Sequence, residues 1–266
     1  MRNALITLTT DFGSSDHFVG VMKGVVLSIA PHARIVDITH EIQPFEISQG
    51  AYAISQAYAY FPPKTIHVVV VDPGVGSARR PLLAEMAGQY FVCPDNGVLS
   101  IIYARERQKV RHITNKSFFL AGLSQTFHGR DIFSPVAAHL ASGVAPARFG
   151  KLIDDPIRLN LARPVQTGKA TWTGEVLSVD RFGNLITSLH IDDFQSIRVR
   201  AFELRVGFEK LTELALTFSD FAPGERMLIV GSGGFLEVAA NQASAAKLLG
   251  CGIGSPVELV LYGPRG

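Results

Sequence analysis

Carboxylates, imidazoles and glycines gather at a few points of this 266-residue chain. Thr10-Asp11-Phe12-Gly13 runs on through Ser14 and Ser15 to Asp16 and His17. Thr39-His40-Glu41 closes a second apolar run. Asp72-Pro73-Gly74-Val75-Gly76 closes a third and leads to Arg79 and Arg80. Asp72 directly follows four valines, so its carboxylate is partly desolvated and needs a partner. Arg79 and Arg80 both qualify, and spacing does not separate them. His128, in Thr126-Phe127-His128-Gly129-Arg130-Asp131, suits a general base, an orienting group or an ordinary loop histidine, and the loop reading is the simplest. Asp180-Arg181-Phe182-Gly183-Asn184 reads as a hairpin turn, with Phe182 an unusual exposed aromatic. Ser232-Gly233-Gly234 leads through Glu237 to Asn241 and Gln242, and paired glycines let backbone approach a ligand.

Each feature has an ordinary reading too. An Asp after a strand usually forms a turn or caps a helix. Capping is the expectation for Asp16, and Asp131 reads as the N-cap of the helix that follows it. A lone Gly-x-Gly is a weak phosphate signal, and no Gly-x-x-x-x-Gly-Lys is present. Asp11, Asp16, His17, His40, Asp72 and His128 are candidate metal ligands, and a metal-dependent hydrolase using Asp11, His17, His40 and Asp72 is a competing reading. No pair has the spacing of His-Glu-x-x-His, so no catalytic metal is expected. Trp172 reads as core, and Cys93 and Cys251 as structural thiols.

The elements that must carry these groups change character along the chain. Residues 4–8, 34–38 and 65–71 read as strands, the last buried on both faces. Between them, Phe18, Val21, Met22, Val25, Val26 and Ile29 recur at helical spacing up to Pro31, and residues 47–60 form a second helix stopped by Pro62-Pro63. This βαβαβ order implies a parallel sheet covered by helices, with ligands at the strand carboxyl ends. A further helix is expected over 131–141. Beyond Asp154-Asp155-Pro156 and Ala162-Arg163-Pro164 come short strands at 172–179, 198–206, 226–230 and 256–262, as in a small antiparallel sandwich or barrel. The expected domains are 1–153, a linker 154–168, and 169–266.

Composition bounds the function. Hydrophobic residues make up 47%, and 25 basic residues nearly balance 23 acidic ones. A globular core follows, and binding to nucleic acid by phosphate neutralisation does not. Two cysteines suit a reducing cytoplasm. The longest aliphatic run, Val68 to Val71, falls far short of a membrane span. The apolar run after Arg2 is too short for a signal peptide.

Taken in order, the motifs resemble one family, the S-adenosylmethionine (SAM) hydroxide adenosyltransferases, relatives of the fluorinases and chlorinases. The carriers are Thr10-Asp11-Phe12-Gly13 with Asp16, Val71 to Gly76 with Arg79, Pro94-Asp95-Asn96-Gly97, Thr126 to Asp131, Asp180 to Asn184, and Asn241-Gln242. Singly they are weak; in sequence across both predicted domains they are specific. The resemblance implies an N-terminal Rossmann-like α/β domain, mostly parallel, and a small antiparallel C-terminal β-barrel. It implies hydrolysis of SAM to adenosine and methionine, without a cofactor.

It further implies a water-activating triad of Asp72, Arg79 and His128, which selects Arg79 over Arg80. Halogenating relatives carry tyrosines at the positions of Asp72 and His128, and the fluoride-using enzyme a serine at that of Gly129. The water-using branch is therefore the better match. Asp11 would hold the ribose hydroxyls, with Phe45 beside the ring. Asp16, Asp180 and Ser232 would hold the methionine amino and carboxylate groups. Phe182 and Asn184 would contact adenine, with the Asn241-Gln242 backbone nearby. Ala240 stands where a relative has an arginine, and Phe218 is a replacement surface. The family implies a homotrimer with sites between subunits. A SAM-binding module without turnover and a halide-using adenosyltransferase are the alternatives.

Overall fold

The β-branched and apolar runs form strands where their periodicity demands. The computed structural model describes residues 4–161 and 164–264; Arg2, Ala162 and Arg163 lie outside them. The chain divides into two compact units between Leu159 and Asn160.

The first unit runs β1 (Leu5–Thr10), α1 (Phe18–Ile29), β2 (Arg34–Thr39), α2 (Ile47–Ala57), β3 (Ile66–Val70), β4 (Pro81–Met86), β5 (Gln89–Pro94), α3 (Ser100–Tyr103), β6 (Gln108–His112), α4 (Ser134–Ala141) and β7 (Leu152–Ile153). Its seven strands lie in the order β2-β1-β3-β5-β4-β6-β7. The first four are parallel, and β4, β6 and β7 extend the sheet antiparallel.

Central β3 is buried at every position. Its alternation feeds two cores. Val68 and Val70 pack with Met22, Val26, Phe133 and Val136, while Val69 packs with Ile54, Phe91 and Leu99 on the other face. The helices therefore cover both faces, as the βαβ order requires.

Two helix ends differ from expectation. The first helix starts at Phe18 after His17 with no side-chain cap, and Asp16 is an exposed loop residue. Burial of Val19, Met22 and Val26 fixes that helix instead. Asp131 is not an N-cap either. It lies inside a π-helical turn, Gly129–Phe133, that precedes α4. The second helix ends in a single 3-10 turn, Tyr58–Tyr60, before the two prolines.

The segment read as a linker is put to use. Asp155 pairs with Arg80, Ile157 N–H donates to Asp95, and Leu159 N–H donates to Ser100. Residues 165–168 form a strand of the second unit.

That unit runs β8 (Val165–Gly168), β9 (Thr171–Val179), β10 (Leu185–His190), β11 (Arg200–Val206), β12 (Glu209–Leu211), β13 (Leu214–Ala215), β14 (Arg226–Val230), β15 (Phe235–Ala240), α5 (Ala245–Leu249) and β16 (Pro256–Pro264). Its nine strands follow β12-β11-β16-β9-β10-β15-β14-β13, with β8 alongside β9. The sheet is antiparallel apart from the β13–β14 pair and curls into a half-barrel. Curling brings Glu209 of β12 within 2.9 Å of Arg226 of β14. Trp172 is partly buried, edge-on to Phe194 at the core margin. Among the described residues no helix is long and apolar enough to cross a membrane.

Candidate functional site

The carboxyl ends of β1 and β3 build the site. Asp72 leaves β3 with its side chain 5% exposed. The glycine-rich stretch then folds back, with Val75 N–H donating to Asp72 O and Ser77 Oγ to Gly74 O. Gly76 has φ +78°, and a Cβ there would lie 2.3 Å from Gln125 O, so this turn presses directly on the 124–128 loop.

The fold-back returns Arg79 to Asp72. Nε donates to Oδ1 at 2.8 Å, and Nη2 donates to Oδ2 in the parallel arm of a fork. Nη2 also donates to His128 Nδ1 at 2.8 Å. The guanidinium lies 5.2 Å from the Phe133 ring centroid. Arg80 goes elsewhere, to Asp95 and Asp155.

His128 is held by the turn behind it. Asp131 accepts from Ser124 N–H at 2.7 Å and from Arg130 Nε at 2.6 Å, which clamps the loop. A guanidinium offers only donors, so Nδ1 of His128 is a lone pair. The neutral ring therefore carries its proton on Nε2. Burial first, and Arg79 next, push the His128 pKa below its ordinary value. The imidazole is neutral near pH 7.

Asp11 ends the neighbouring strand. Its Oδ2 accepts from Phe45 N–H at 2.9 Å, and Phe45 itself sits at φ +75°. Burial holds the Asp11 pKa above the usual carboxylate value, partly offset by that N–H.

A recess of about 280 Å³ brings Asp11, Phe45, Asp72 and His128 together, walled by Phe12 and Phe127. Among the described residues, Asp11 Oδ1 and His128 Nε2 of this lining, and Arg79 Nη1 of the adjoining cluster, are buried without a protein partner. Such atoms mark where a ligand or water completes the bonding. A larger hollow of about 730 Å³ lies at the strand starts, lined by Arg34, Pro62, Lys64 and Tyr90. It holds no carboxylate, and ligands of such sheets bind at the opposite ends. At Gly129 a Cβ would lie 3.2–3.3 Å from Met22, Phe127 and Phe12, so the recess wall has little room for a side chain. Asp16 does not line the recess.

The remaining candidates lie on the second unit. Asp180 Oδ1 accepts from Phe182 and Asn184 N–H, and Oδ2 from Asn184 Nδ2 at 2.8 Å. This is the expected turn, leaving Phe182 77% exposed and Asn184 buried. Ala246 N–H at the start of α5 donates to Gly183 O. Leu185 pairs with Val238, so the turn lies level with the end of β15, near Asn241 and Gln242. Asn241 donates to Phe221 O, and Gln242 has φ +52°. Phe218 is 42% exposed. Ser232 lies before the other end of β15, on a turn closed by Gly231 and Gly234. A six-residue strand, about 20 Å long, separates Ser232 from Asn241 and Gln242, and the charge of Asp180 acts on Glu237 in the middle of that strand.

Sequence reasoning named Glu237 on β15 only as part of a motif and gave it no role. Burial, then the charge of Asp180, raise its pKa to about 7. An acid in an otherwise apolar strand was the available signal. It also missed the recess walls Phe12 and Phe127, whose place beside Asp11 and His128 in sequence pointed to them. Among the described residues no group of three His, Cys, Asp or Glu side chains is arranged to hold a metal.

Comparison with known proteins fits this layout. A family model for the SAM hydroxide adenosyltransferase N-terminal domain matches residues 6–150, and one for the C-terminal domain of that family matches 174–258. The chain belongs to that family. It is 38% identical over 261 residues to an (R)-S-adenosyl-L-methionine hydrolase of Salinispora tropica, covering 92% of this chain and 93% of that one. It is 25% identical to a fluorinase of an Actinoplanes species, covering 92% and 93%. A crystal structure of an uncharacterized conserved protein from Thermotoga maritima superposes with a TM-score of 0.87 at 38% identity, covering 96% of this chain and 99% of that one. Nearly all of this family member, both units included, therefore has relatives of the same fold.

Proposed function

We propose that this member of the family hydrolyses S-adenosyl-L-methionine to adenosine and L-methionine, with the (R)-sulfonium epimer preferred. The names of the hydrolase relatives support the substrate and its epimer. The observation that carries the chemistry is the Asp72–Arg79–His128 cluster, whose Asp72 and His128 line one recess with Asp11, while Asp11 Oδ1 and His128 Nε2 lack a protein partner among the described residues.

The oxygen of a water molecule attacks C5′ of the ribose as the C5′–S bond breaks. The bonding pair goes to sulfur, which leaves as a neutral thioether, so departure needs no general acid. The demanding part is an oxygen nucleophile held in line and stripped of other water. His128 has no free lone pair, because Arg79 occupies Nδ1 and the proton sits on Nε2. Its task is to donate from Nε2 to the nucleophile and aim it. Asp72 keeps lone pairs beyond the two that Arg79 uses, and it takes the proton, which then passes to solvent. Arg79 holds both groups and stabilises hydroxide character by its charge.

Asp11 Oδ1 accepts from the ribose hydroxyls, with Phe45 beside the ring. Asp16, Asp180 and Ser232 take the methionine end. Phe182, Asn184, Phe218, Asn241 and Gln242 take the adenine end. Assembly as a homotrimer with shared sites belongs to the same reading, and exposed Phe45 and Phe182 are surfaces a neighbouring copy would cover. Light scattering on the purified protein tests that part.

The decisive experiment incubates chelator-treated protein with each SAM epimer, with and without halide, and follows adenosine and methionine by chromatography. Halide-independent adenosine is expected, faster from the (R) epimer. Binding of SAM without turnover would replace this reading with that of a binding module.

A further inference from the structure

We infer that His40 is a positioning residue for Asp11, acting through Thr10. The inference rests on reading Asp11 as a substrate contact.

His40 follows β2 and lies across the turn that leaves β1. Its side chain is only 10% exposed. Nδ1 lies 2.8 Å from Thr10 Oγ1. Nε2 lies 3.0 Å from Asp37 Oδ1, off the line of a good hydrogen bond. Asp37 Oδ2 also takes Lys23 Nζ at 2.6 Å. Burial pulls the Asp37 pKa up, but Lys23 and His40 outweigh it and leave the group below its ordinary value. The carboxylate is charged, and it favours a proton on the facing Nε2. Nδ1 is then a lone pair, and the Thr10 hydroxyl donates to it.

With its proton committed, Thr10 Oγ1 accepts from Phe12 N–H at 3.3 Å. His40 adds a second anchor from its backbone, where its carbonyl accepts from Gly13 N–H at 2.7 Å. Asp11 lies between these fixed points. Its neighbours on both sides are held, and one carboxylate oxygen is held by Phe45. The other oxygen is left buried and unpartnered in the recess. A carboxylate kept desolvated with one free oxygen needs a rigid frame, because any slack lets it turn to water. The Asp37–His40–Thr10 chain supplies that frame. It resembles a nucleophilic triad in order, but Thr10 is fully buried and outside the recess lining, so its hydroxyl holds backbone and does not attack.

The test uses the full-length protein and the variants His40→Ala, His40→Asn and Thr10→Val. Asn keeps a polar atom near the place of Nδ1, and Val keeps the shape of Thr10. Two readouts are taken. The first is the titration of the Asp11 carboxyl carbon by NMR without any ligand. In the wild type it titrates above the ordinary carboxylate value; in His40→Ala and Thr10→Val it falls back toward that value, and Asn restores part of the difference. The second is steady-state SAM hydrolysis. KM rises about tenfold in His40→Ala with kcat changed much less, within the range for misplacing a positioned group. In an Asp11→Asn background the same His40 change adds nothing. An unmoved Asp11 titration in both His40→Ala and Thr10→Val overturns the inference, as does a KM penalty that adds in full to that of Asp11→Asn. If the wild type does not cleave SAM, the functional reading fails, while the ligand-free titration still decides for or against His40.

Discussion

Arg79 and Arg80 are adjacent in sequence, and each forks onto an aspartate, yet the two knots they tie differ in kind. Arg80 joins Asp95 and Asp155, and Asp95 also accepts from Ile157 N–H. None of the side-chain polar atoms of that knot is left buried without a partner among the described residues. Arg79 joins Asp72 and His128 beside a recess, and there Arg79 Nη1 and His128 Nε2 remain unpaired. A saturated ion pair fastens chain to chain. An unsaturated one is finished by whatever enters the recess. Pairing alone does not mark a functional site; the leftover valence does.

The sharpest way to break this comparison is to remove charge from each knot. Asp72→Asn is expected to lower turnover about 100- to 10,000-fold, the usual range for losing a general base, while SAM still binds. Single-turnover chromatography and calorimetry read the two separately. Normal turnover by this variant would sink the assignment. The histidine comes next. His128→Gln keeps an N–H donor and is expected to retain much of the activity, whereas His128→Ala loses about 100-fold. Equal loss in both would mean that the ring acts as a base and not as a donor. Arg80→Ala should leave kcat unchanged. It strands Asp95, whose side chain is 2% exposed, and should cost about 1–3 kcal/mol in urea unfolding, toward the low end because Arg80 is itself partly solvated.

The same contrast explains what the sequence made legible. Strand β3 was readable because four valines permit little else, and Asp72 was recognisable as a carboxylate in need of a cation. Which arginine answers was not. As the chain straightens toward β4, successive side chains leave on opposite sides, and one residue of register decides the partner. Asp16 and Asp131 misled because capping is the commonest use of an aspartate before a helix. In the folded chain burial of the apolar stripe starts the first helix, and Asp131 is drawn into a loop clamp through Ser124. His128 read as a loop histidine because nothing local reports an arginine 49 residues away. The Asp180 turn was legible in full, since its bonds span only four residues.

Glu237 carries the comparison to its limit, as a carboxylate with no cation beside it among the described residues. Burial and the charge of Asp180 raise its pKa to about 7, against 4.5 for a free glutamate. Between those values the folded protein keeps a proton that the unfolded chain has released. Stability therefore falls as pH rises from 4.5 to about 7, and the penalty is complete above that. Asp72 and Asp95, by contrast, each have an arginine partner. Glu237→Gln removes the titrating proton while keeping size and polarity. It is expected to gain about 1 kcal/mol at pH 8 after discounting for partial solvation, and nothing at pH 4.5. Urea midpoints of wild type and variant at the two pH values measure the difference. Parallel pH slopes would mean that Glu237 finds a partner after all, and that an unpaired acid in this half-barrel costs the fold nothing.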